Sequence, residues 1–283
     1  MSKISKALER AELERLKRLQ AAKQSSLSTA VAEESSAAQL STSVNVLEPP
    51  TPPPAEMVPE MAVDERVLAL FDPRSPVAEQ YRILRTNLLS LRNGKPIKTI
   101  MLSSALHSEG KSVSCVNLAV TLANDVNRRK VILIDADLRA GSIHQLLGIR
   151  PKAGLSEVLA NGIPWQEVLV GTPLPNLMVL PRGIAPPHPA ELLASNRMRE
   201  VMAEVRAEYD FCLVDSPPIV PLADPGIIGT LTDGAVIVIR GGKTQRTLVQ
   251  YAVSLLTQAN VQVLGSILTH AESHIPEYIY RYF

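Results

Sequence analysis

The sequence predicts an α/β protein, a doubly wound and mostly parallel sheet preceded by a helix and a disordered linker. From about residue 66, short apolar runs alternate with helical segments, the pattern of a parallel sheet covered by helices on both faces. Gly110, Lys111 and Ser112 stand between the first apolar run and the helix that follows it. Asp135, Asp137 and Asp215 stand at or just past the ends of two later runs, and ligands of such sheets bind at the carboxyl ends of the strands.

Taken in order, residues 1–24 read as a charged helix rich in Ala, Leu, Glu, Lys and Arg. Its apolar stripe, Ile4, Ala7, Leu8 and Ala11, is broken by Leu13 on the opposite side. The segment reads equally well as a solvated helix or as an element that docks on a partner or on anionic lipid. Residues 25–65 read as a disordered linker. They are dominated by Ser, Ala, Thr, Glu and Pro, with "EPPTPPPAEMVPE" at the centre and no basic residue between Lys23 and Arg66, a composition that cannot bury a core.

The globular domain is expected over 66–270. Its strands are "KTIMLSS", "KVILID", "NLMVLP", "YDFCLVD", "GAVIVIR" and "VQVLGSIL". Its helices include "GKSVSCVNLAVTLANDV", with Val113, Val116, Leu118, Ala119 and Leu122 on the buried side, "HPAELLASNRMREVMAEVRAE" and "QRTLVQYAVSLLTQA". Residues 271–283 form a tail ending "PEYIYRYF", which holds Tyr278, Tyr280 and Tyr282, half of the six tyrosines. Alone, that alternation favours a strand at a sheet edge. The other reading is a phosphoryl acceptor at an accessible chain end.

Bulk properties narrow the function. The formal charge of +1 over 283 residues argues against nucleic acid as a partner. Cys115 and Cys212 lie within apolar runs and read as buried thiols of a reducing compartment. No run is long and apolar enough for a transmembrane helix, and no signal-peptide core is evident. The expected location is cytoplasmic, with any membrane attachment supplied by another protein.

The chemistry concentrates at "ALHSEGKS", Ala105–Ser112. A strand–loop–helix of this kind can wrap a polyphosphate in successive backbone N–H groups at a positive helix end. Here those are Ser108, Glu109, Gly110, Lys111, Ser112 and Val113. Lys111 would reach the outer phosphates and the Ser112 hydroxyl would ligate Mg2+. Ala105 replaces the first Gly of the strict motif. Three acids at the phosphate loop, Asp135, Asp137 and Asp215, suit a metal–nucleotide site. A single strand-end Asp is more often a helix cap, a reading weakened by three on one loop. No Gly-x-Gly-x-x-Gly follows a strand, and zinc spacing, a Gly-x-Ser-x-Gly elbow and paired cysteines are all lacking. The histidines, including His144, His188 and His270, read as loop residues.

At these motifs the chain resembles the bacterial tyrosine kinases, the P-loop kinases that accompany exopolysaccharide and capsule export. The resemblance covers about residues 66–283. "ALHSEGKS" resembles their Walker A loop, "ILIDADLR" their second aspartate-bearing motif and "CLVDSPP" their Walker B. "HPAELLASNRM" and "VIVIRGGKT" are similar to further family stretches. "DPRSPVAEQYRILRTNL" carries Glu79, Arg82 and Arg85 in the spacing E-x-x-R-x-x-R. The N-terminal "MSKISKALERAE" and the linker resemble the autokinases found with exosortase-type polysaccharide systems.

The resemblance implies a P-loop NTPase of the deviant-Walker type, shared with MinD- and ParA-like ATPases, and a protein-tyrosine kinase using ATP and Mg2+. It implies Lys111 on the phosphates, Ser112, Asp135, Asp137 and Asp215 around the metal, and Asp135 as the base. Tyr278, Tyr280 and Tyr282 are implied as acceptors that neighbours phosphorylate in a ring homo-oligomer, with an octamer as one expected size. Glu79, Arg82 and Arg85 are implied as the contact that closes the ring. The ring would supply a neighbour's tail where a chain's own tail is too short or badly aimed. Phosphorylation, adding about −1.5 to −2 charges per tyrosine, would eject the tail and loosen the ring. The implied partners are a transmembrane polysaccharide co-polymerase that activates the kinase at the inner face of the plasma membrane, and a cognate tyrosine phosphatase.

Three departures bear on rate. His107 and Ser108 replace the usual Pro-Gly, Ala140 and Gly141 follow Asp137-Leu138-Arg139 where a basic residue and Pro are usual, and the tail has only three tyrosines. Two other classes compete: a partitioning or positioning ATPase, which would carry a lysine within Ala105–Ser108, and a weakly active adaptor, consistent with His107 and Ser108.

Overall fold

The computed structural model describes residues 63–91 and 97–271. The helix expected over 1–24, nearly all of the linker expected over 25–65, and Tyr278, Tyr280 and Tyr282 lie outside the described residues. The described chain begins slightly before residue 66. The Asp64 N–H donates to the Leu146 carbonyl at 3.0 Å, and Val63 packs at the core's edge.

Two helices come first, α1 (Leu68–Phe71) and α2 (Pro76–Ser90). The strands are β1 (Thr99–Ser104), β2 (Val131–Asp135), β3 (Val170–Gly171), β4 (Leu177–Leu180), β5 (Phe211–Asp215), β6 (Gly234–Arg240) and β7 (Val263–Thr269). They form one sheet in the order β3-β4-β2-β5-β1-β6-β7. Every pairing is parallel except β3 with β4. The remaining helices are α3 (Lys111–Ala123), α4 (Ile143–Leu146), α5 (Leu155–Asn161), a 3-10 turn (Trp165–Val168), α6 (Pro189–Leu193), α7 (Asn196–Glu208), α8 (Asp224–Gly229) and α9 (Arg246–Gln258).

The strands are continuous apolar runs because both sheet faces are covered. Successive residues of β1 point to opposite faces, so Ile100 and Leu102 join one core and Met101 the other. The first core lies under α1, α2, α3 and α4, and the second under α5, α7 and α9. β1 is central, and the chain leaves it first towards β2 and later returns past β5 to β6. That reversal of direction opens the crevice at the carboxyl end of β1, where the Gly-Lys-Ser loop lies.

Val116, Leu118, Ala119 and Leu122 of α3 are buried as expected, whereas Val113 is only half-buried. The stretch 188–208 forms two helices, not one. Ser195 ends α6 and starts α7, its hydroxyl accepting the Met198 N–H at 3.2 Å, and Ser is a strong helix-start residue. His144 sits in α4 and not in a loop. Cys115 and Cys212 are free and buried, and burial pushes both thiols up. Among the described residues no helix is long and apolar enough to cross a membrane.

α2 starts where its sequence dictates, with Ser75 accepting the Ala78 N–H at 3.1 Å and Pro76 in the first turn. The segment before it is pinned to α3 by one buried side chain. Asn117 accepts the Ala69 N–H at 2.9 Å and donates to the carbonyls of Arg66 at 3.0 Å and Val113 at 2.9 Å.

Candidate active site

The loop from β1 to α3 is shaped by two left-handed residues, Ser108 at φ 61° and Gly110 at φ 94°. Gly110 fits because a Cβ there would stand 3.3 Å from the Thr269 methyl. Ser108 holds the same region of backbone with a side chain present, a strain of about 1–2 kcal/mol. The loop is held from behind. The buried Glu109 carboxylate accepts the Leu106 N–H at 3.0 Å and the Thr244 hydroxyl, and the Thr269 hydroxyl donates to the Glu109 carbonyl at 2.8 Å. Glu109, expected among the phosphate-binding residues, thus has its carboxylate engaged in holding the loop, and its backbone alone remains for a ligand.

The register of β2 with β5 places Asp135 opposite Asp215, and Asp137 follows two residues past the end of β2. All three are buried. Lys111 Nζ lies 3.0 Å from Asp137 Oδ2 and 3.7 Å from Asp215 Oδ2. The Ser112 hydroxyl donates to Asp215 Oδ2 at 2.6 Å. Asp137 Oδ1 accepts the Ala140 N–H at 2.9 Å. Lys111, Ser112, Asp137 and Asp215 therefore form one hydrogen-bonded cluster at the start of α3, with Asp135 beside it. Ser108 and Val113 flank the cluster along the same cleft.

Burial opposes the Lys111 charge, but Asp215 and Asp137 overcome it and hold the ammonium above the ordinary lysine value. Burial raises Asp215, against the pull of Lys111 and the Ser112 hydroxyl. Asp135 is pushed up to about 8, by burial first and then by the charge of Asp215, with the Ile143 N–H and Lys111 acting the other way.

Two carboxylate oxygens, Asp135 Oδ1 and Asp215 Oδ1, are buried without a hydrogen-bond partner. Three acids face one lysine, and such orphaned oxygens invite a further positive charge. Among the described residues no three or more His, Cys, Asp or Glu side chains form a ready metal cage. Mg2+ takes one or two carboxylates and completes its shell with water and phosphate oxygens, which the orphaned Asp135 and Asp215 oxygens and the Ser112 hydroxyl fit. Ser112 and Asp215 would hold it, with Asp135 and Asp137 close by. Bound there, the ion would neutralise phosphate charge.

Gly141 was not singled out as a site residue. A Cβ at this position would fall into the Asp135 carboxylate, 2.6 Å from its Cγ. The sequence "LRAGS" carried no signal of this beyond its glycine. Arg139 makes a two-toothed pair with the buried Asp224, Nε at 2.8 Å and Nη2 at 3.1 Å, fixing the loop after Asp137 to α8. Thr269 ends β7 and Thr244 lies in the loop between β6 and α9, where ligand loops gather; neither shows in the sequence as a site residue.

The residues expected at an oligomer contact divide. Glu79 and Arg82 pair with each other on the exposed face of α2, and Arg82 also reaches the Pro73 carbonyl. Arg85 instead donates to the Thr121 carbonyl at 3.1 Å and lies 3.8 Å from Asp125, so it ties α2 to the end of α3. A cleft of about 1520 Å³ runs between α2 and the phosphate loop and reaches Thr269, His270 and Ala271.

A parallel sheet with a Gly-Lys-Ser loop at the crevice of its central strand, faced by strand-end aspartates, defines a P-loop nucleotide-binding protein. Residues 97–264 match the AAA_31 family, described as an AAA domain. The chain is 37% identical over 206 residues to "Tyrosine-protein kinase YwqD" of Bacillus subtilis, covering 73% of this chain and 86% of that protein. Its fold matches the kinase domain of the Escherichia coli tyrosine kinase ETK with a TM-score of 0.68 and 30% identity, over 74% of this chain and 83% of that one. A septum site-determining protein complexed with Mg-ADP, from Pyrococcus horikoshii, matches in fold with a TM-score of 0.55 and 24% identity, over 64% and 75%. The chain belongs to the bacterial tyrosine-protein kinases and is a kinase of that class.

Proposed function

We propose that this protein is an ATP- and Mg2+-dependent autokinase whose acceptors are Tyr278, Tyr280 and Tyr282, phosphorylated in trans within a ring of identical chains. The observation that carries the reading is the cleft itself. It holds Lys111, Ser112 and Asp137 at one side, and its rim includes His270 and Ala271, the last described residues before the tyrosine tail. Transfer makes a bond from a tyrosine oxygen to the γ-phosphorus and breaks the bond to the oxygen of ADP. A tyrosine hydroxyl has a pKa near 10, so its proton needs an acceptor. Asp135, ionised once a bound cation offsets its burial and the charge of Asp215, would take that role. Lys111 neutralises phosphate charge in a loose transition state, where positioning and electrostatics dominate.

The ring reading draws on α2, which presents Glu79 and Arg82 together with the exposed Val77 and Ile83. In the cell the kinase would serve exopolysaccharide or capsule polymerisation and export. A transmembrane co-polymerase would recruit it to the inner face of the plasma membrane, and a phosphatase would reset the tail. Intact mass and peptide mapping beside a Lys111→Met variant test the core of this. Phosphate on the tail of the wild type, absent from the variant, is the expected result. A clean tail in both, even with the membrane partner added, would leave a nucleotide-driven assembly factor, and the strain at Ser108 is what would favour a weakly active adaptor.

A further inference from the structure

A second, smaller cleft of about 300 Å³ lies on the other side of the phosphate loop. Leu106, Glu109 and Leu248 contribute to its walls, and it is rich in basic groups, His107, Arg240 and Lys243. None of these three side chains has a hydrogen bond or ion pair within the described residues. The only acid in the lining, Glu109, already has its carboxylate on Leu106 and Thr244. Arg240 and Lys243 therefore give the cleft positive charge that no described residue offsets, with Gln245 as a neutral donor. His107, Ser108 and Arg240 line both clefts, so the two meet at a ridge formed by those residues.

An extended chain lying across that ridge would send successive side chains to opposite sides. A residue that enters the main cleft would thus have its immediate neighbour in the basic one. In this chain Tyr278 is preceded by Glu277, Tyr280 by Ile279 and Tyr282 by Arg281. Of these preceding residues only Glu277, before Tyr278, is an anion.

We propose that the small cleft is an acceptor subsite that binds the Glu277 carboxylate of a second copy while Tyr278 enters the main cleft, making Tyr278 the preferred acceptor and Tyr282 the least preferred. This rests on the reading of the tail as the acceptor. The charge pairs are partly exposed, so the preference is modest and salt-sensitive.

The test uses full-length chains. The acceptor is the Lys111→Met protein, and the kinase carries Tyr→Phe changes at its three tail positions, so that each phosphate is assigned to one chain. Site-resolved initial rates are measured for Lys243 and Lys243→Glu kinases against Glu277 and Glu277→Lys acceptors. Either single change lowers kcat/KM at Tyr278 by about fivefold, through acceptor KM, while the KM for ATP stays constant. The double combination restores Tyr278 to within about twofold of the starting rate, which a merely structural effect of Lys243→Glu would not do. Equal rates at all three tyrosines in every combination, or a further loss in the double combination, would overturn the subsite. ATP turnover with no tail tyrosine phosphorylated in any combination would overturn the acceptor reading and the subsite together.

Discussion

Asp135 is buried, opposed by Asp215 and left with one orphaned oxygen, so its negative charge costs stability that Lys111 and the Ile143 N–H offset only in part. Replacing it with asparagine keeps the shape and the acceptor for the Ile143 N–H and removes the charge. Each unit of pKa displacement is worth about 1.4 kcal/mol. A carboxyl moved from 3.8 to about 8 is held neutral at pH 7 across roughly three units, a penalty of up to about 4 kcal/mol. The amide is itself desolvated, which offsets about half, leaving about 2 kcal/mol. At 2–4 °C per kcal/mol for a domain of this size, Tm should rise by about 4–8 °C. The sign follows from a folded-state pKa above the unfolded one. The neutral carboxyl carries no penalty below pH 4, and wild-type stability declines as pH rises through about 8. The gap between Asp135→Asn and wild type should therefore widen from pH 5 to pH 8, read by calorimetry in chelator without nucleotide, while phosphotyrosine formation is lost. A Tm equal to or below wild type across that range would refute the electrostatic reasoning.

Gly141→Ala should force the Asp135 carboxylate aside, because the new methyl would occupy its place. Overpacking of this kind costs about 1–3 kcal/mol, and kinase activity should fall at least tenfold with the fold retained by circular dichroism. Ser108→Gly should relieve the left-handed strain of about 1–2 kcal/mol against about 0.5–1 kcal/mol of added unfolded-chain entropy. A rise of about 1–2 °C in Tm is expected, and a fall would show that the Ser108 side chain stabilises the loop.

The central strands were legible because each is a local apolar run, and Asp135, Asp137 and Asp215 were legible because strand ends converge in a parallel sheet. The break at Ser195 was hidden by strong helix formers on both sides. α1, α4, α5 and α8 are too short to show periodicity, and β3 exists only through its pairing with β4. Lys111 and Ser112 could be placed at the start of α3 from spacing alone. Asn117 could not, since its partners Arg66 and Ala69 lie 51 and 48 residues away in sequence, and an asparagine in a helix carries no local mark of them. The same holds for Glu109, which reads as a loop residue until Thr244 and Leu106 are placed around it. The E-x-x-R-x-x-R spacing put three charges on one helix, but the packing of α2 against α3 gave Arg85 a partner within its own chain.

The chain's path out of the sheet has a kinetic consequence. β7 delivers the backbone to His270 and Ala271 on the rim of the cleft that holds Lys111. Six residues separate Ala271 from Tyr278, a contour of at most about 25 Å over seven steps when extended. Each tail thus starts at the doorway of its own chain's pocket, and in the proposed ring a neighbour's tail would have to compete there with one that never diffuses away. Self-tethered competition of this kind would make the onset of phosphorylation depend on assembly more steeply than on ATP, turning the exit point of one edge strand into a threshold for the whole reaction.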